Sequence, residues 1–160
     1  MKVMSAITID ELTDVLMNLI EDDSIEFEYE VHECEETGQF TIECKMFDNE
    51  FLIMPLGSGP FYEDLLLTAF FSAYLDPEVL CTEFNGRYKF ASAVPLTVES
   101  DDGNDEEDCQ IIKVEKLVVL EGDVTDKHLE KTIKLWTGML MHAEQLFDGP
   151  TVDANDGEDE

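Results

Sequence analysis

Residues 25–54 read IEFEYEVHECEETGQFTIECKMFDNEFLIM, and this stretch decides the fold. In its first part apolar or aromatic residues occupy every second position, and the same alternation returns after Gly38, whereas residues 51–54, after Asn49, are all apolar. A period of two residues is typical of a strand with one buried face. Thr37-Gly38 and Asp48-Asn49 each predict a tight turn. We therefore expect a three-stranded antiparallel meander.

The solvent face of this meander is expected to be mostly charged. With a two-residue first turn, Glu30 lies opposite Lys45, and the same register puts His32 opposite Glu43. Each such pair stabilises a sheet by at most about 1 kcal/mol. His32 is expected to be an ordinary surface histidine. The first strand also carries a row of carboxylates about 7 Å apart. Its members are Glu26, Glu28 and Glu30.

A capping box marks the start of the first helix. Thr8 precedes Glu11 by three residues, and the apolar residues that follow recur at helical spacing. In such a box the Thr and Glu side chains each satisfy a free N–H of the helix start. We expect a helix over residues 9–21.

A strongly apolar segment follows the meander. Pro60 suits the first position of a helix, and residues 61–75 are apolar nearly all round. The segment predicts a helix that must be covered on more than one side, either within its own domain or by another chain. A short helical stretch is expected after Asp76-Pro77.

The second half of the chain predicts a hairpin and a long helix. Residues 88–98 alternate, residues 110–120 are rich in β-branched side chains, and Thr125 caps a helix that runs to Phe147. The order is α-β-β-β-α-β-β-α. We therefore predict an α+β fold in which an antiparallel sheet, a meander plus a hairpin, packs with about three helices. One domain is expected over residues 1–147, followed by a disordered acidic tail, 148–160.

Acidic side chains outnumber basic ones by 39 to 9, which gives a formal net charge of −30 at pH 7. They are densest in residues 99–108 and 148–160, which contain no Lys or Arg, but the remainder of the chain is also acidic. Such a field repels phosphate groups and anionic lipid and attracts basic protein surfaces. We expect no direct binding of nucleic acid and none to membranes.

Motifs that carry catalysis are missing from the sequence. It has no glycine-rich phosphate loop, no nucleophile elbow and no zinc-protease helix. We therefore expect no enzyme activity, no cofactor and no metal site. A calcium-responsive loop at residues 101–108 is kept as a weaker alternative, although it lacks the ligand spacing of an EF-hand. Unchanged thermal stability in millimolar calcium would rule it out.

The start of the chain and its cysteines indicate a cytoplasmic protein. Asp10, Glu11 and Asp14 lie where a secretion signal needs apolar residues, and no apolar stretch is long enough to cross a membrane. The four cysteines form no Cys-x-x-Cys pair and are expected to be reduced.

The predicted element order resembles that of the type III secretion chaperones and their relatives, the YbjN-like family, over about residues 7–147. The more particular points of similarity are Phe84-Asn85 after the middle helix, the strand from Tyr88, and the closing strand, turn and helix from Leu117. The resemblance implies a small acidic cytoplasmic protein, often a dimer, that holds an extended segment of a client protein against hydrophobic patches.

Two groups of apolar residues are candidates for protein contacts. On the outward face of the meander, the predicted partner-binding residues are Phe47, Leu52 and Met54. The predicted dimer surface lies on the apolar segment and consists of Leu66, Phe70, Phe71 and Tyr74. Packing of a helix from the same domain over the outward face is the alternative explanation for the first group.

The sequence thus predicts a non-catalytic protein-binding module, a chaperone-like adaptor or regulator that holds a client polypeptide through apolar surface. The alternative is an acidic decoy that inhibits a basic nucleic-acid-binding protein. Contacts of the first kind should survive high salt, whereas contacts of the second kind should not.

Overall fold

The computed structural model describes residues 3–57, 59–98, 109–121 and 124–148. The acidic loop predicted at 99–108 and the tail predicted to be disordered, beyond Asp148, lie outside the described residues. In chain order the elements are β1 (Val3–Met4), α1 (Ile9–Ile20), β2 (Phe27–Glu33), β3 (Phe40–Met46), β4 (Asn49–Leu56), β5 (Asp64–Ser72), α2 (Pro77–Arg87), β6 (Ser92–Val98), β7 (Cys109–Val119), β8 (Val124–Thr125) and α3 (Asp126–Asp148).

Within the described residues, three helices accompany a six-stranded antiparallel sheet of order β2-β3-β4-β5-β7-β6, and β1 and β8 form a separate two-stranded sheet. The predicted α+β class is therefore confirmed. So is the succession of a first helix, a meander, a middle helix, a hairpin and a last helix.

The chain divides into two compact units. The first comprises Met1–Thr68 and Lys116–Gly138, and the second comprises Ala69–Glu115 and Met139–Glu160. In the first unit, Phe51 of β4 meets Trp136 of α3 edge to face, with ring centroids 6.1 Å apart. In the second unit, Phe147 of α3 packs against Phe71 and Phe84, at centroid distances of 5.3 and 5.7 Å. Each unit thus has its own aromatic core, and one domain over residues 1–147 stays a prediction.

The helix predicted over residues 61–75 is wrong, because this segment contains strand β5. Over residues 64–67 burial alternates, with Leu65 and Leu67 buried and Leu66 between them half-buried, as expected for a strand. β5 lies inside the sheet between β4 and β7. A strand in that position is apolar on both faces, and periodicity alone does not distinguish it from a buried helix. The middle helix is α2, with Asp76 as N-cap and Pro77 in its first turn.

The predicted register of the meander is wrong by two residues. Glu30 pairs with Glu43, and Lys45 pairs with Glu28. The first turn contains four residues between Cys34 and Gln39, because the Cys34 N–H donates to the Gln39 carbonyl at 2.8 Å. A shift of two residues leaves every side chain on its expected face, and Ile42 and Cys44 on the inward face are buried.

The predicted helix starts are confirmed at both ends of the chain. The Glu11 N–H donates to Thr8 Oγ1 at 3.1 Å, and the Thr8 N–H donates to Glu11 Oε1 at 3.0 Å. At α3, the His128 N–H donates to Thr125 Oγ1 at 3.0 Å. These side chains satisfy N–H groups that have no acceptor within the helix.

Candidate functional site

Strand β4 carries apolar residues on both of its faces. Phe51 and Ile53 point inward and are buried, while Leu52 and Met54 alternate with them and are half-buried. Across the ladder to β5, Met54 lies opposite Leu66. Residues directly opposite on antiparallel strands share one face of the sheet. The outer face of β4 and β5 is therefore apolar at Leu52, Met54 and Leu66, all in the first unit.

Strand β7 extends this apolar face. The Leu120 N–H donates to the Glu63 carbonyl at 2.9 Å, and antiparallel pairing continued from this bond puts Leu117 opposite Leu66. Leu117 and Val119 are 50% and 48% exposed, on either side of the buried Val118. We call this surface the outer patch. It consists of Leu52, Met54, Leu66, Leu117 and Val119.

One buried polar side chain, Thr68 of β5, lies next to the outer patch. Thr68 is opposite Leu52 and only 2% exposed, and its hydroxyl has no hydrogen-bond partner among the described residues. Burying a hydroxyl without a partner costs about 1–3 kcal/mol. Within the described part of the chain, this hydroxyl is therefore an unsatisfied polar group next to apolar side chains.

The same sheet face becomes acidic towards its edge. Glu28 and Glu30 on the edge strand β2, and Glu43 on β3, are all exposed. In the ladder between β3 and β4, Glu43 is the partner of Leu52. We call the outer face of β2 and β3 the acidic half. An apolar area and a negatively charged area therefore lie side by side on one face of the first unit.

The predicted partner-binding residues divide into two groups. Leu52 and Met54 lie on the outward face, as predicted from their parity. Phe47 lies in the turn between β3 and β4, 42% exposed and with a positive φ of 56°. Because Met46 pairs with Asn49, Leu52 is three residues further along β4, or about 10 Å at 3.3 Å per residue. Phe47 thus lies at the end of the hairpin, outside the outer patch.

The residues of the predicted dimer surface do not share one helical face. They lie on strand β5 or just after it. Leu66 and Phe70 have the outward parity of β5, with Phe70 exposed. Phe71 has the opposite parity and packs on Phe147. Tyr74 follows the end of the strand, and its N–H donates to the Phe147 carbonyl at 3.1 Å. A role of these residues in a dimer stays a prediction.

Two outer-patch residues on β7, Leu117 and Val119, were missed as binding candidates. Residues 117–120 are all apolar, so the sequence does not distinguish the exposed positions from the buried Val118, and the proximity of Leu117 to Leu66 depends on β5 being a strand. His32 was predicted opposite Glu43 and instead pairs with Thr41, although its Nε2 lies 3.5 Å from Glu43 Oε1.

The cysteines differ sharply in environment. Hydrogen bonds from Thr37, first from its side chain and then from its backbone, lower the pKa of the exposed Cys34 thiol. Burial raises the pKa of the Cys44 and Cys81 thiols. Low-pKa, accessible thiols are the reactive ones, so Cys34 is the most reactive of these three.

No protein-family model, curated protein or solved structure matches this chain. The resemblance to the YbjN-like and type III secretion chaperone families therefore stays a prediction. Among the described helices, none has both the length and the apolar character needed to cross a membrane.

Proposed function

We propose that this chain is a non-catalytic protein-binding module, a chaperone-like adaptor of the cytoplasm, that holds a client polypeptide on the outer patch. The observation that carries this proposal is the partly exposed apolar surface formed by β4, β5 and β7 in the first unit. Apolar residues gathered on one sheet face with polar neighbours are typical of protein-interaction sites. Burying them on a client removes apolar area from water, which favours the complex, and the surplus over the costs of association and ordering appears as affinity.

The chemistry of the face indicates an amphipathic client segment with basic residues. The outer patch would take its apolar side, and Glu28, Glu30 and Glu43 in the acidic half would attract its Lys or Arg side chains. Such charges mainly increase the association rate and fix the orientation. The apolar contact is then expected to supply most of the affinity.

Binding to the face is favoured over addition of a client strand at an edge of the sheet. The edge strand β2 presents Glu28 and Glu30, and the other edge strand, β6, contains Pro95, which has no N–H to donate. Charges and prolines on edge strands discourage pairing with a further strand.

The test is a pull-down from nuclease-treated native lysate with the tagged protein and a matched pair of variants. The double variant Leu52→Asp/Met54→Asp places two charges in the outer patch, while Val79→Asp places one on an exposed apolar position of α2. We expect a client that the wild type and Val79→Asp retain at about 0.5 M salt, where surface charges are screened, and that the double variant loses. Unchanged circular dichroism would show that the double variant is folded. Equal retention by all three proteins would contradict the proposal.

The second candidate is the acidic decoy of a basic nucleic-acid-binding protein, which the exposed carboxylates of β2 favour. Its partner should dissociate steeply between about 0.1 and about 0.5 M salt. Glu28→Lys/Glu30→Lys should then abolish binding, and the double outer-patch variant should leave it intact. The two pairs of variants thus give opposite results for the two functions.

A homodimer is the remaining proposal for partners. Leu66, from the predicted dimer surface, lies in the outer patch, so a second copy would compete with the client there. Sedimentation of the wild type and of Leu52→Asp/Met54→Asp measures this directly. A dimer that the double variant converts to a monomer would assign the outer patch to self-association.

A further inference from the structure

Three side chains that can bind metals converge on the acidic half. Glu30 and His32 are two residues apart on β2, and Glu43 of β3 lies directly opposite Glu30. His32 Nε2 is 3.5 Å from Glu43 Oε1 and 3.9 Å from Glu30 Oε1. One ligand atom from each residue lies within 4.8 Å of the other two.

These separations are close to those of a metal centre. In a tetrahedral zinc site with bonds of about 2.0–2.1 Å, neighbouring ligand atoms are about 3.4 Å apart. The His32–Glu43 distance already matches this value, and the two other separations need only small side-chain rotations. Since the three residues are exposed, their side chains are free to make them. The strands hold the three Cα positions in a fixed register.

The pairing of charges across the ladders also favours a cation between Glu30 and Glu43. In one row of the sheet, Lys45 lies between Glu28 and Glu50, so both neighbours compensate its charge. In the next row Glu30 faces Glu43, and the residue beyond Glu43 is Leu52. Like charges directly opposite each other destabilise a sheet. A bound cation between the two carboxylates would turn this repulsion into attraction.

The imidazole selects the class of metal. Calcium and magnesium prefer sites built from oxygen atoms alone, whereas imidazole together with carboxylates suits zinc and its transition-metal neighbours. We propose that Glu30, His32 and Glu43 form a surface site for one zinc-class divalent cation. With three protein ligands, at least one coordination position remains open to water or to a donor from a partner. The inference does not depend on the outer patch binding a client.

The proposed site is tested by titrating the full chain with Zn²⁺ against a competing chromophoric chelator. Excess magnesium and near-physiological salt suppress diffuse binding to the many other carboxylates. A Cys34→Ser background removes the exposed thiol beside β2. We expect one Zn²⁺ per chain. His32→Ala and Glu43→Gln should each weaken binding at least about tenfold, because even outer-shell partners of a metal contribute that much.

The matched control is His142→Ala, which removes an exposed histidine of α3 and should leave the affinity unchanged. Cobalt supplies a second readout, because visible absorption of the bound ion reports a low-coordinate site with nitrogen and oxygen ligands. Equal Zn²⁺ affinity for wild type, His32→Ala and His142→Ala would overturn the proposal. So would binding that magnesium abolishes.

Discussion

The two faces of strand β4 differ although both are apolar. On the inner face Ile53 is fully buried and Phe51 packs against Trp136, whereas on the outer face Leu52 and Met54 are only half-buried. The neighbouring strands repeat the contrast, because buried Leu65 and Leu67 flank half-buried Leu66. Apolar composition alone therefore does not separate core from binding surface. The separation comes from which face the helices of the same unit cover.

The largest expected effect is the difference in free energy of unfolding between a truncation on the inner face of β4 and one on its outer face. Ile53→Ala leaves a cavity in the core and is expected to lower the free energy of unfolding by about 2–5 kcal/mol. Leu52→Ala, one residue earlier, removes a half-buried side chain and should cost less than about 1 kcal/mol. Urea unfolding followed by circular dichroism measures both. Equal losses would mean that the outer face is as tightly packed as the core.

The buried hydroxyl of Thr68 gives the next largest effect. Thr68→Val replaces an unsatisfied hydroxyl by a methyl group, and we expect it to raise the free energy of unfolding by about 1 kcal/mol. Thr137→Val is the matched control, because Thr137 is equally buried but its hydroxyl donates to the Ile133 carbonyl at 2.9 Å. A loss of stability in Thr68→Val would show that this hydroxyl has a partner in the free protein.

Charge reversal on the acidic half should change stability by a smaller amount. Glu43→Lys puts a cation opposite Glu30 and is expected to stabilise the sheet by a few tenths to about 1 kcal/mol. Glu50→Lys puts a cation opposite Lys45 and should destabilise it by a similar amount. Urea unfolding at low salt, with a chelator present, separates the two variants. About 1 M salt should erase the difference, and a difference that persists would have a cause other than charge.

Thiol modification compares a buried position on the inner face with an exposed position, and it needs no substitution in the protein. Cys44 is buried on the inner face of β3, where burial raises the pKa of its thiol, whereas Cys34 is exposed and the pKa of its thiol is lowered. More thiolate at neutral pH means faster alkylation, so we expect iodoacetamide to modify Cys34 before Cys44. Mass spectrometry of the peptides gives the order. Early labelling of Cys44 would mean that the inner face opens readily.

Local signals predicted much of this fold. The capping box at Thr8, the strands predicted from the alternation in residues 25–46 and the outward parity of Leu52 and Met54 are all found in the structure. These features depend on neighbours within a few residues. The β2–β3 register depends on the length of the turn, which Thr37-Gly38 left ambiguous. The predicted register was therefore wrong by two residues.

The features that sequence reasoning missed depend on distant pairings. Residues 64–72 are apolar at both parities, so the choice between strand and helix depends on β4 and β7 on either side. The outer patch shares this origin, since Leu117 is 51 positions from Leu66 along the chain. The pairing of Glu30 with Glu43 likewise could not be predicted without the correct β2–β3 register.

Site-specific photocrosslinking tests the central claim, that the outer patch binds a client, most directly. A photoreactive phenylalanine analogue would replace Leu117 in the patch or, as control, Lys131 on the exposed side of α3 in the same unit. Irradiation in native lysate should yield a discrete adduct from position 117 and none from position 131. The adduct should disappear when Leu52→Asp/Met54→Asp is added to the same chain. Adducts of equal yield from both positions, or none from position 117, would contradict the account.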